Sequence, residues 1–210
     1  MAVVDRRSLA ATGAAALLAL SAGLADARDL SVALANMYSA LSLSPPTADQ
    51  MTVCYGFGCA RRWRLDFTAA DRRRLADLLA AGRSSAAAER KAVQQAVVWF
   101  DRRVGPLIGT NKRVPEADIR TLDAAHNFDC FDTTRNTTSL LLVLEEWKLF
   151  RHHAVSDPLY RGNVLRGQLP HNTAELTDRA TGIGWAVDMW HRGYGELPDV
   201  MPVEQWLNEL

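Results

Sequence analysis

One long apolar segment directly behind a cysteine constrains the fold of this chain more than any other feature. Cys130 stands between Asp129 and Asp132, in the segment "DCFDTTRNTTSLLLVLEEW" (129–147). Large apolar side chains recur there at helical spacing, at Leu140, Leu141, Val143, Leu144 and Trp147. A helix with so wide an apolar surface is normally buried at the centre of a domain. The sequence therefore predicts a buried central helix with a thiol in its first turn.

Two pairs of alternating segments predict antiparallel hairpins against which this helix can pack. The first pair is "MTVCYG" with "ARRWRLDFT", and the second is "HNTAELTD" with "GIGWAVDMW" around the turn "RATG". Such alternation is typical of strands that bury one face. Because helical patterns come first and strands follow, we expect an α+β fold whose buried central helix packs on a small antiparallel sheet.

Five other segments have helical patterns. They are 29–43, a helix opened by a capping box at Thr68 and Asp71, a helix from Ser85, the segment 114–125, and "MPVEQWLNEL" at the C-terminus. Residues 28–210 contain neither a repeat nor a low-complexity linker. We therefore expect them to form a single domain.

The first 27 residues have the composition of a signal peptide. Two arginines at positions 6 and 7 precede a charge-free apolar run, and "ADA" (25–27) matches a cleavage pattern. The letters "RRSL" also resemble a twin-arginine export signal. We expect a bacterial protein that is periplasmic or secreted, with no integral membrane segment in its mature chain.

Composition argues against several kinds of partner. The chain has 24 Lys+Arg and 24 Asp+Glu, so its formal net charge is +0. Without a basic excess, nucleic acid is not a predicted partner. The histidines do not fall at metal-ligand spacing, so neither a metal nor a cofactor is predicted. The sequence carries no signal of the oligomeric state.

An oxidising compartment gives the three cysteines different roles. Cys54 and Cys59 lie in "VCYGFGCARR", where a glycine-containing turn can bring the two thiols together. We predict a disulfide between them. Cys130 is then unpaired and becomes a candidate reactive thiol. The alternatives are a buried inert cysteine, or a pairing of Cys130 with one of the other two.

A cysteine nucleophile needs a base and a third group that orients the base. His171 and Asp188 lie on the two strands of the second hairpin, and a turn near residue 179 or 180 places them opposite each other or one residue off. Their shared face also carries the small residues Gly184 and Ala186, which would leave room for a substrate backbone. The opposite face is apolar and can pack on the central helix, with Ala174, Leu176, Trp185 and Val187.

The environment of the thiol can also be anticipated. The helix dipole and a neighbouring imidazolium should lower the pKa of Cys130, and we expect them to outweigh the two flanking aspartates. The backbone N–H of Cys130 is a natural oxyanion donor, and Asn127 is a candidate for the second donor. Trp185 and Trp190 flank Asp188, so one of them is expected to shield the triad from water.

These motifs resemble a known family. "DC-x-D" (129–132) opens a helix, a histidine follows on a strand, and "WAVD" (185–188) lies on the next strand. This order is similar to the transglutaminase-like fold, and most similar to the bacterial transglutaminase-like cysteine peptidases. The resemblance implies a papain-like triad with Cys130 as nucleophile, His171 as base and Asp188 as orienter.

Two classes of function follow. In the first, the chain is an exported thiol acyl-transfer enzyme, a cysteine peptidase or amidase that acts on a protein or peptide amide. In the second, it is an inactive transglutaminase-like domain that binds a protein or the cell wall in the periplasm. The complete set of Cys130, His171 and Asp188 favours the first.

Overall fold

The structure, a computed structural model, describes residues 29–117, 124–163, 165 and 167–209. As predicted, it is an α+β fold with a curled antiparallel sheet. The helices of the described part are α1 (Val32–Ser39), α2 (Ala69–Ala80), α3 (Ala86–Ile108), α4 (Cys130–Glu146) and α5 (Val203–Asn208). The strands are β1 (Gln50–Tyr55), β2 (Arg61–Asp66), β3 (His153–Val155), β4 (Leu159–Asn163), β5 (Gln168–Asp178), β6 (Gly184–Asp188) and β7 (Asp199–Pro202).

Helix α4 is the buried central element that the sequence predicts. From Leu140 to Leu144 its side chains are at most 1% exposed. The helix packs against β1, β3, β5 and α3, so it contacts both sheets of the molecule. Burying one leucine contributes roughly 1.5–3 kcal/mol. The contiguous apolar run of α4 therefore provides a large share of the energy that joins the two sheets in one core.

Side-chain hydrogen bonds hold the C-terminal end of α4. Glu146 Oε1 accepts the backbone N–H of Ala48 at 3.1 Å, and Trp147 Nε1 donates to the Ala48 carbonyl at 3.0 Å. Glu145 Oε1 accepts the backbone N–H of Val155 in β3 at 3.0 Å. This end of the helix is thus tied both to the segment before β1 and to the larger sheet.

Strand β5 organises the larger sheet. β1 and β2 pair antiparallel as a separate two-stranded sheet, which confirms the first predicted hairpin. In the larger sheet the order is β3-β5-β6-β7, and β4 also pairs with β5. At eleven residues, β5 is long enough to pair with three other strands.

The second hairpin is also confirmed, but its centre lies one residue later than predicted. Ala174 pairs with Val187, and the next pair along this register sets Thr173 opposite Asp188. His171 is therefore displaced by two residues from its predicted partner. Because side chains alternate along a strand with a period of two, this even shift leaves His171 and Asp188 on one face.

The turn is the predicted segment "RATG", whose centre lies between Ala180 and Thr181 rather than near residue 179 or 180. Asp178 Oδ1 accepts the backbone N–H groups of Ala180 at 2.9 Å and Thr181 at 3.3 Å. Gly182 completes the turn with a φ of 71°, a conformation that glycine adopts without strain. These interactions shape a turn of four residues, 179–182, closed by the hydrogen bond from the Asp178 N–H to the Ile183 carbonyl.

Three elements differ from the sequence expectation. β4 and β7 are absent from the predicted elements because both are short and neither alternates in sequence. In the segment 114–125, residues 114–117 form a turn, residues 118–123 lie outside the described residues, and a short 3-10 helix covers Ala124–His126.

A buried ion pair explains why no helix begins at residue 114. The guanidinium of Arg113 bonds Asp101 in α3, with an Nη2–Oδ2 distance of 3.0 Å. It also donates to the carbonyl oxygens of Arg192 at 2.5 Å and Gly193 at 3.2 Å. These bonds draw the chain before Val114 onto α3 in an irregular conformation.

The predicted signal peptide, residues 1–27, lies outside the described residues. Export and a mature N-terminus at Arg28 therefore stay predictions. Of the helices that the structure describes, none combines the length and the apolar character needed to cross a bilayer.

Candidate functional site

Asp129 sets the start of α4. Its backbone is extended, and its side chain accepts the backbone N–H of Asp132 at 2.7 Å, which makes it the N-cap of the helix. Cys130 is the first helical residue, so its own N–H has no acceptor within the helix. The structure therefore confirms that the thiol lies in the first turn of the central helix.

The predicted disulfide between Cys54 and Cys59 is present, with the two Cα atoms 4.4 Å apart. It closes a turn in which four consecutive residues, 56–59, have φ between 59° and 80°. Successive backbone N–H groups in such turns point into a shared concavity that binds anions. The loop therefore presents a row of hydrogen-bond donors.

The two aspartates beside Cys130 occupy this concavity. Asp132 accepts the backbone N–H of Phe57 at 2.9 Å and of Cys59 at 2.7 Å, and Asp129 accepts that of Gly58 at 2.7 Å. Both carboxylates thus attach the disulfide loop to the start of α4. They therefore act as structural charges at the N-terminus of the helix.

Asn136 extends the attachment by two turns of the helix. Its amide oxygen accepts the backbone N–H of Cys54, and its amide nitrogen donates to the Cys54 carbonyl, both at 2.8 Å. Burial, followed by the charge of Asp129, raises the pKa of Asp132 to about 7, although the N–H groups of the loop act in the opposite direction. Asp132 therefore titrates near neutral pH.

Cys130 carries a free thiol that is 9% exposed. The side-chain amide of Asn172 on β5 donates to its sulfur at 3.8 Å. Burial, and then the carboxylate of Asp129, raise the pKa of the Cys130 thiol to about 11. The expected lowering of this pKa is wrong for the resting protein, because the group in contact with the sulfur is a neutral amide and the site excludes water.

His171 and Asp188 are brought together by the second hairpin. The distance from His171 Nε2 to Asp188 Oδ2 is 2.5 Å, and both side chains are at most 3% exposed. Residues two positions out of register on one face are within reach of a long side chain. Since a carboxylate accepts, His171 carries a proton on Nε2, and Nδ1 is the nitrogen that the carboxylate does not bind.

Two tryptophans complete the surroundings of Asp188. Trp206 Nε1 donates to Oδ2 at 2.9 Å, and the backbone N–H of Trp190 donates to Oδ1 at 3.0 Å. Burial alone would raise the pKa of Asp188, but the hydrogen bond and charge of His171, together with the bond from Trp206, hold it below the usual value. Asp188 is therefore ionised and suited to orient an imidazole.

The remaining nitrogen of His171 is without a hydrogen-bond partner. Nδ1 is buried, and within the described part of the chain nothing bonds to it. The nucleophile–base hydrogen bond that a triad of Cys130, His171 and Asp188 would use is thus not formed in the resting structure. The reason is the alternation of β5, which directs Asn172 rather than its neighbour to the sulfur. The His171–Asp188 half of the predicted triad is assembled, and the thiol lies against the next residue of the same strand.

Of the two tryptophan candidates, Trp190 lies at the site. Its ring centroid is 4.7 Å from that of His171, and its Nε1 donates to the carbonyl of Ala117. Trp185 lies on the other face of β6, where the guanidinium of Arg90 stacks 3.5 Å from its ring centroid. Trp190 therefore shields His171, and Trp185 packs against α3.

Asn127 serves a structural purpose near the site. Its side-chain oxygen accepts the backbone N–H of Val114 at 2.9 Å, and its carbonyl accepts that of Gly56 at 3.0 Å. It therefore links the disulfide loop to the segment after α3. Both bonds engage oxygens of Asn127, so the role of its amide as an oxyanion donor stays a prediction.

The face shared by His171 and Asp188 is covered, contrary to the expectation of an open substrate channel. A Cβ atom at Gly184 would lie 2.3 Å from Glu175 Oε1 and 2.8 Å from a methyl group of Val203 in α5. Ala186 is fully buried. The small residues of β6 therefore make room for α5, and a substrate has to approach Cys130 from another side.

Sequence reasoning missed three residues of the site. They are Asn172, Trp206 and His191, whose ring packs edge-on against His171 with centroids 5.0 Å apart. A period of two along β5 would have directed Asn172 to the opposite face from His171, which is the helix side. No sequence signal places Trp206, because its contact depends on how α5 folds back over the sheet.

One cluster could hold a cation after rearrangement. Ligand atoms of His171, Asp188 and His191 lie within 4.8 Å of one another, and imidazole and carboxylate both bind zinc. However, a separation of 2.5 Å between His171 and Asp188 is that of a hydrogen bond rather than of two ligands around an ion. The sequence expectation of no metal stays a prediction.

Comparison with known proteins gives no match to a family model, to a curated protein or to a solved structure.

Proposed function

We propose that this chain is an exported thiol acyl-transfer enzyme, a cysteine peptidase or amidase acting on a protein or peptide amide. Cys130 is the nucleophile, His171 the base and Asp188 its orienter. The observation that carries the proposal is the buried imidazole of His171, bonded to a carboxylate at Nε2 and without a partner at Nδ1. This unpartnered nitrogen belongs to the residue next to Asn172, which contacts the thiol.

The reaction needs a base because the resting thiol is neutral. Nδ1 of His171 makes no bond to the sulfur in the resting structure, so the hairpin has to move before the base can act. With a pKa of about 11, the Cys130 thiol then gives its proton to Nδ1 as the sulfur attacks the substrate carbonyl carbon. The carbon–nitrogen bond then breaks, and Nδ1 returns the proton to the leaving amine. Water adds to the thioester, gives its proton to Nδ1, and the sulfur leaves as a thiol with that proton.

Two donors beside the sulfur can stabilise the oxyanion. The backbone N–H of Cys130 has no acceptor within α4. The side-chain amide of Asn172 lies 3.8 Å from the sulfur, so it is close enough to donate to an oxygen on the carbon that the sulfur attacks. We therefore assign the role of second donor to Asn172 in place of Asn127.

A transglutaminase-like core is part of this proposal. It is supported by a nucleophile at the start of a buried helix, followed by a base and an orienter on paired strands. The Cys54–Cys59 disulfide supports a periplasmic or secreted location, since such bonds persist in oxidising compartments.

Acylation by p-nitrophenyl acetate tests the proposal, with nitrophenolate release and mass mapping of the acetyl group as readouts. We expect Cys130 to be acetylated at least about 100-fold faster in the folded protein than in the unfolded chain. His171→Gln should remove this advantage. His152→Ala is the control, because its ring bonds the Arg83 carbonyl away from the site. Equal rates for the wild type and His171→Gln would contradict the proposal.

The second candidate is a binding module for a protein or the cell wall. It is favoured by the 9% exposure of Cys130 and by the raised pKa of its thiol, which suit an inert cysteine. In that case Cys130→Ala should bind cell-wall sacculi as well as the wild type in a sedimentation assay, and Cys130 should show no enhanced acylation.

A further inference from the structure

A cavity of about 210 Å³ lies between α1, the first turns of α4 and β4. Its walls are largely apolar and include Met37 and Leu159. Pockets for drug-sized ligands measure about 300–1,000 Å³. The smaller volume here suits a single side chain.

The cavity is connected to the thiol through two residues. Asn172 lines it and also donates to the Cys130 sulfur, and Phe131 lines it and follows Cys130 in the chain. Trp190 and Trp206 of α5 pack on the His171 ring and not on these two residues. A side chain that enters the cavity would therefore lie against the contact and the chain neighbour of Cys130.

Exposed aromatic side chains form the rim of the cavity. Phe131 is 48% exposed and Tyr160 is 61% exposed, although both are large apolar residues. Aromatic residues are enriched where proteins bind peptides and other proteins, because they bury a large area with little loss of conformational entropy. This rim indicates a surface for a peptide next to the thiol.

Arg135 supplies a charge within this apolar surround. Its Nε is buried without a hydrogen-bond partner among the described residues, and its Nη1 donates to the Phe131 carbonyl at a long 3.4 Å. The guanidinium also lies 5.8 Å from the centroid of the Phe131 ring. The nearby carboxylates of Asp129 and Asp132 are already bonded to the disulfide loop. Guanidinium groups bind carboxylates strongly when water is excluded.

We propose that this cavity is the subsite for the side chain of the acyl residue, and that it selects an apolar stem with a terminal carboxylate that binds Arg135. This inference rests on the proposed function, since it assumes that Cys130 attacks the carbonyl of the residue whose side chain enters the cavity. Glutamate is the amino acid with this chemistry. The enzyme would then cleave amides on the carboxyl side of glutamate.

Matched p-nitrophenyl esters of N-acetylglutamate and N-acetylmethionine test the selection, because the two side chains have similar length and differ in charge. We expect the glutamyl ester to acylate Cys130 about 10- to 100-fold faster. Arg135→Met should reduce this ratio to near one. Arg64→Met, an exposed arginine on β2, should keep the ratio of the wild type.

Binding to Cys130→Ala separates this inference from the proposed function. N-acetylglutamate amide should bind this variant more tightly than N-acetylmethionine amide, and the preference should disappear in Cys130→Ala with Arg135→Met. If the ligands bind with this preference while neither ester acylates the wild type, the proposed function fails and the subsite stands. A lack of preference in binding, or one that survives the loss of Arg135, overturns the subsite.

Discussion

Two buried histidine–carboxylate pairs lie against the larger sheet, and they differ in how completely the histidine is bonded. His153 Nδ1 donates to Glu89 at 2.8 Å, and its Nε2 accepts from Arg90 at 3.2 Å. His171 donates to Asp188 at 2.5 Å, and its second nitrogen has no partner in the described part of the chain. Both imidazoles are almost fully buried, so exposure does not distinguish the pairs.

The carboxylates do not distinguish them either. Glu89 also accepts the backbone N–H groups of residues 151–153, and Asp188 accepts from Trp190 and Trp206. Only the histidines differ. A buried polar atom without a partner costs roughly 1–3 kcal/mol. The unmade bond at His171 Nδ1 is a cost that the proposed role as a base would explain, whereas the completed network around His153 docks β3 onto α3.

The largest effect is expected on activity, and it should arise at His171 and not at His153. His171→Gln keeps an amide donor for Asp188 but removes the base, so the acylation rate of Cys130 should fall by about 10²–10⁴. Stopped-flow release of nitrophenolate measures it, with mass mapping to confirm the acylated residue. A loss of folding in this variant, at an unchanged rate per folded molecule, would mean that His171 is structural like His153.

The second prediction is that the carboxylate of the His153 pair matters for the stability of the fold. Glu89→Gln should lower the free energy of unfolding by about 3–5 kcal/mol, as expected when one partner of a buried ionic network is removed. Urea denaturation measures the loss. Burial alone would raise the pKa of Glu89, but the bonds from His153 and the backbone hold it below 4.5. Its contribution is therefore present above pH 4.5 and is lost as the pH falls through its lower folded pKa.

The acylation rate of the same variant serves as the control. Folded Glu89→Gln should acylate at the rate of the wild type, because the pair lies away from Cys130. A variant that keeps full stability while its acylation slows would reverse the roles of the two pairs.

A third prediction concerns the amide that contacts the thiol. Asn172→Ala should lower the acylation rate by about 10²–10³, the usual effect of removing one oxyanion donor, while KM changes little. Binding of a peptide aldehyde, whose adduct carries the same oxyanion, should weaken in parallel. Asn163→Ala, an exposed asparagine on β4, is the control. A change confined to KM would make Asn172 a wall of the cavity only.

The smallest effect is expected from a carboxylate that has no histidine partner. The folded pKa of Asp132 is about 7 and its ordinary value is 3.8, so the folded chain binds the extra proton. This stabilisation is complete below pH 4 and is lost as the pH rises through 7. Between pH 5 and 8 the free energy of unfolding should fall by about 2–3 kcal/mol relative to Asp132→Asn. If the free energies of unfolding of the two proteins change with pH in the same way, the raised pKa of Asp132 is wrong.

The elements with strong local periodicity could be predicted from the sequence. Helix α4, both hairpins and the Cys54–Cys59 bridge follow from helical spacing, strand alternation and a glycine-containing turn. The shared face of His171 and Asp188 was also predictable, because an even error in register preserves the faces of a strand.

Contacts that depend on distant segments could not be predicted. The side chains of Glu89 and His153 are 64 residues apart, and α5 covers β6 only because of how the C-terminal segment folds back. The pKa of Cys130 was predicted with the wrong sign, since burial of the sulfur is a property of the assembled core. The sequence therefore predicts which residues belong to the site better than it predicts the environment of each one.

Helix α4 is held at both of its ends. Hydrogen bonds to the disulfide loop clamp its first turn, and bonds from Glu145, Glu146 and Trp147 clamp its last. The sulfur of Cys130 is therefore carried by a helix that cannot easily shift or tilt. Any adjustment that aligns Nδ1 of His171 with it has to come from the hairpin, so substrate-induced changes in NMR spectra should concentrate in β5 and β6 and spare the helix.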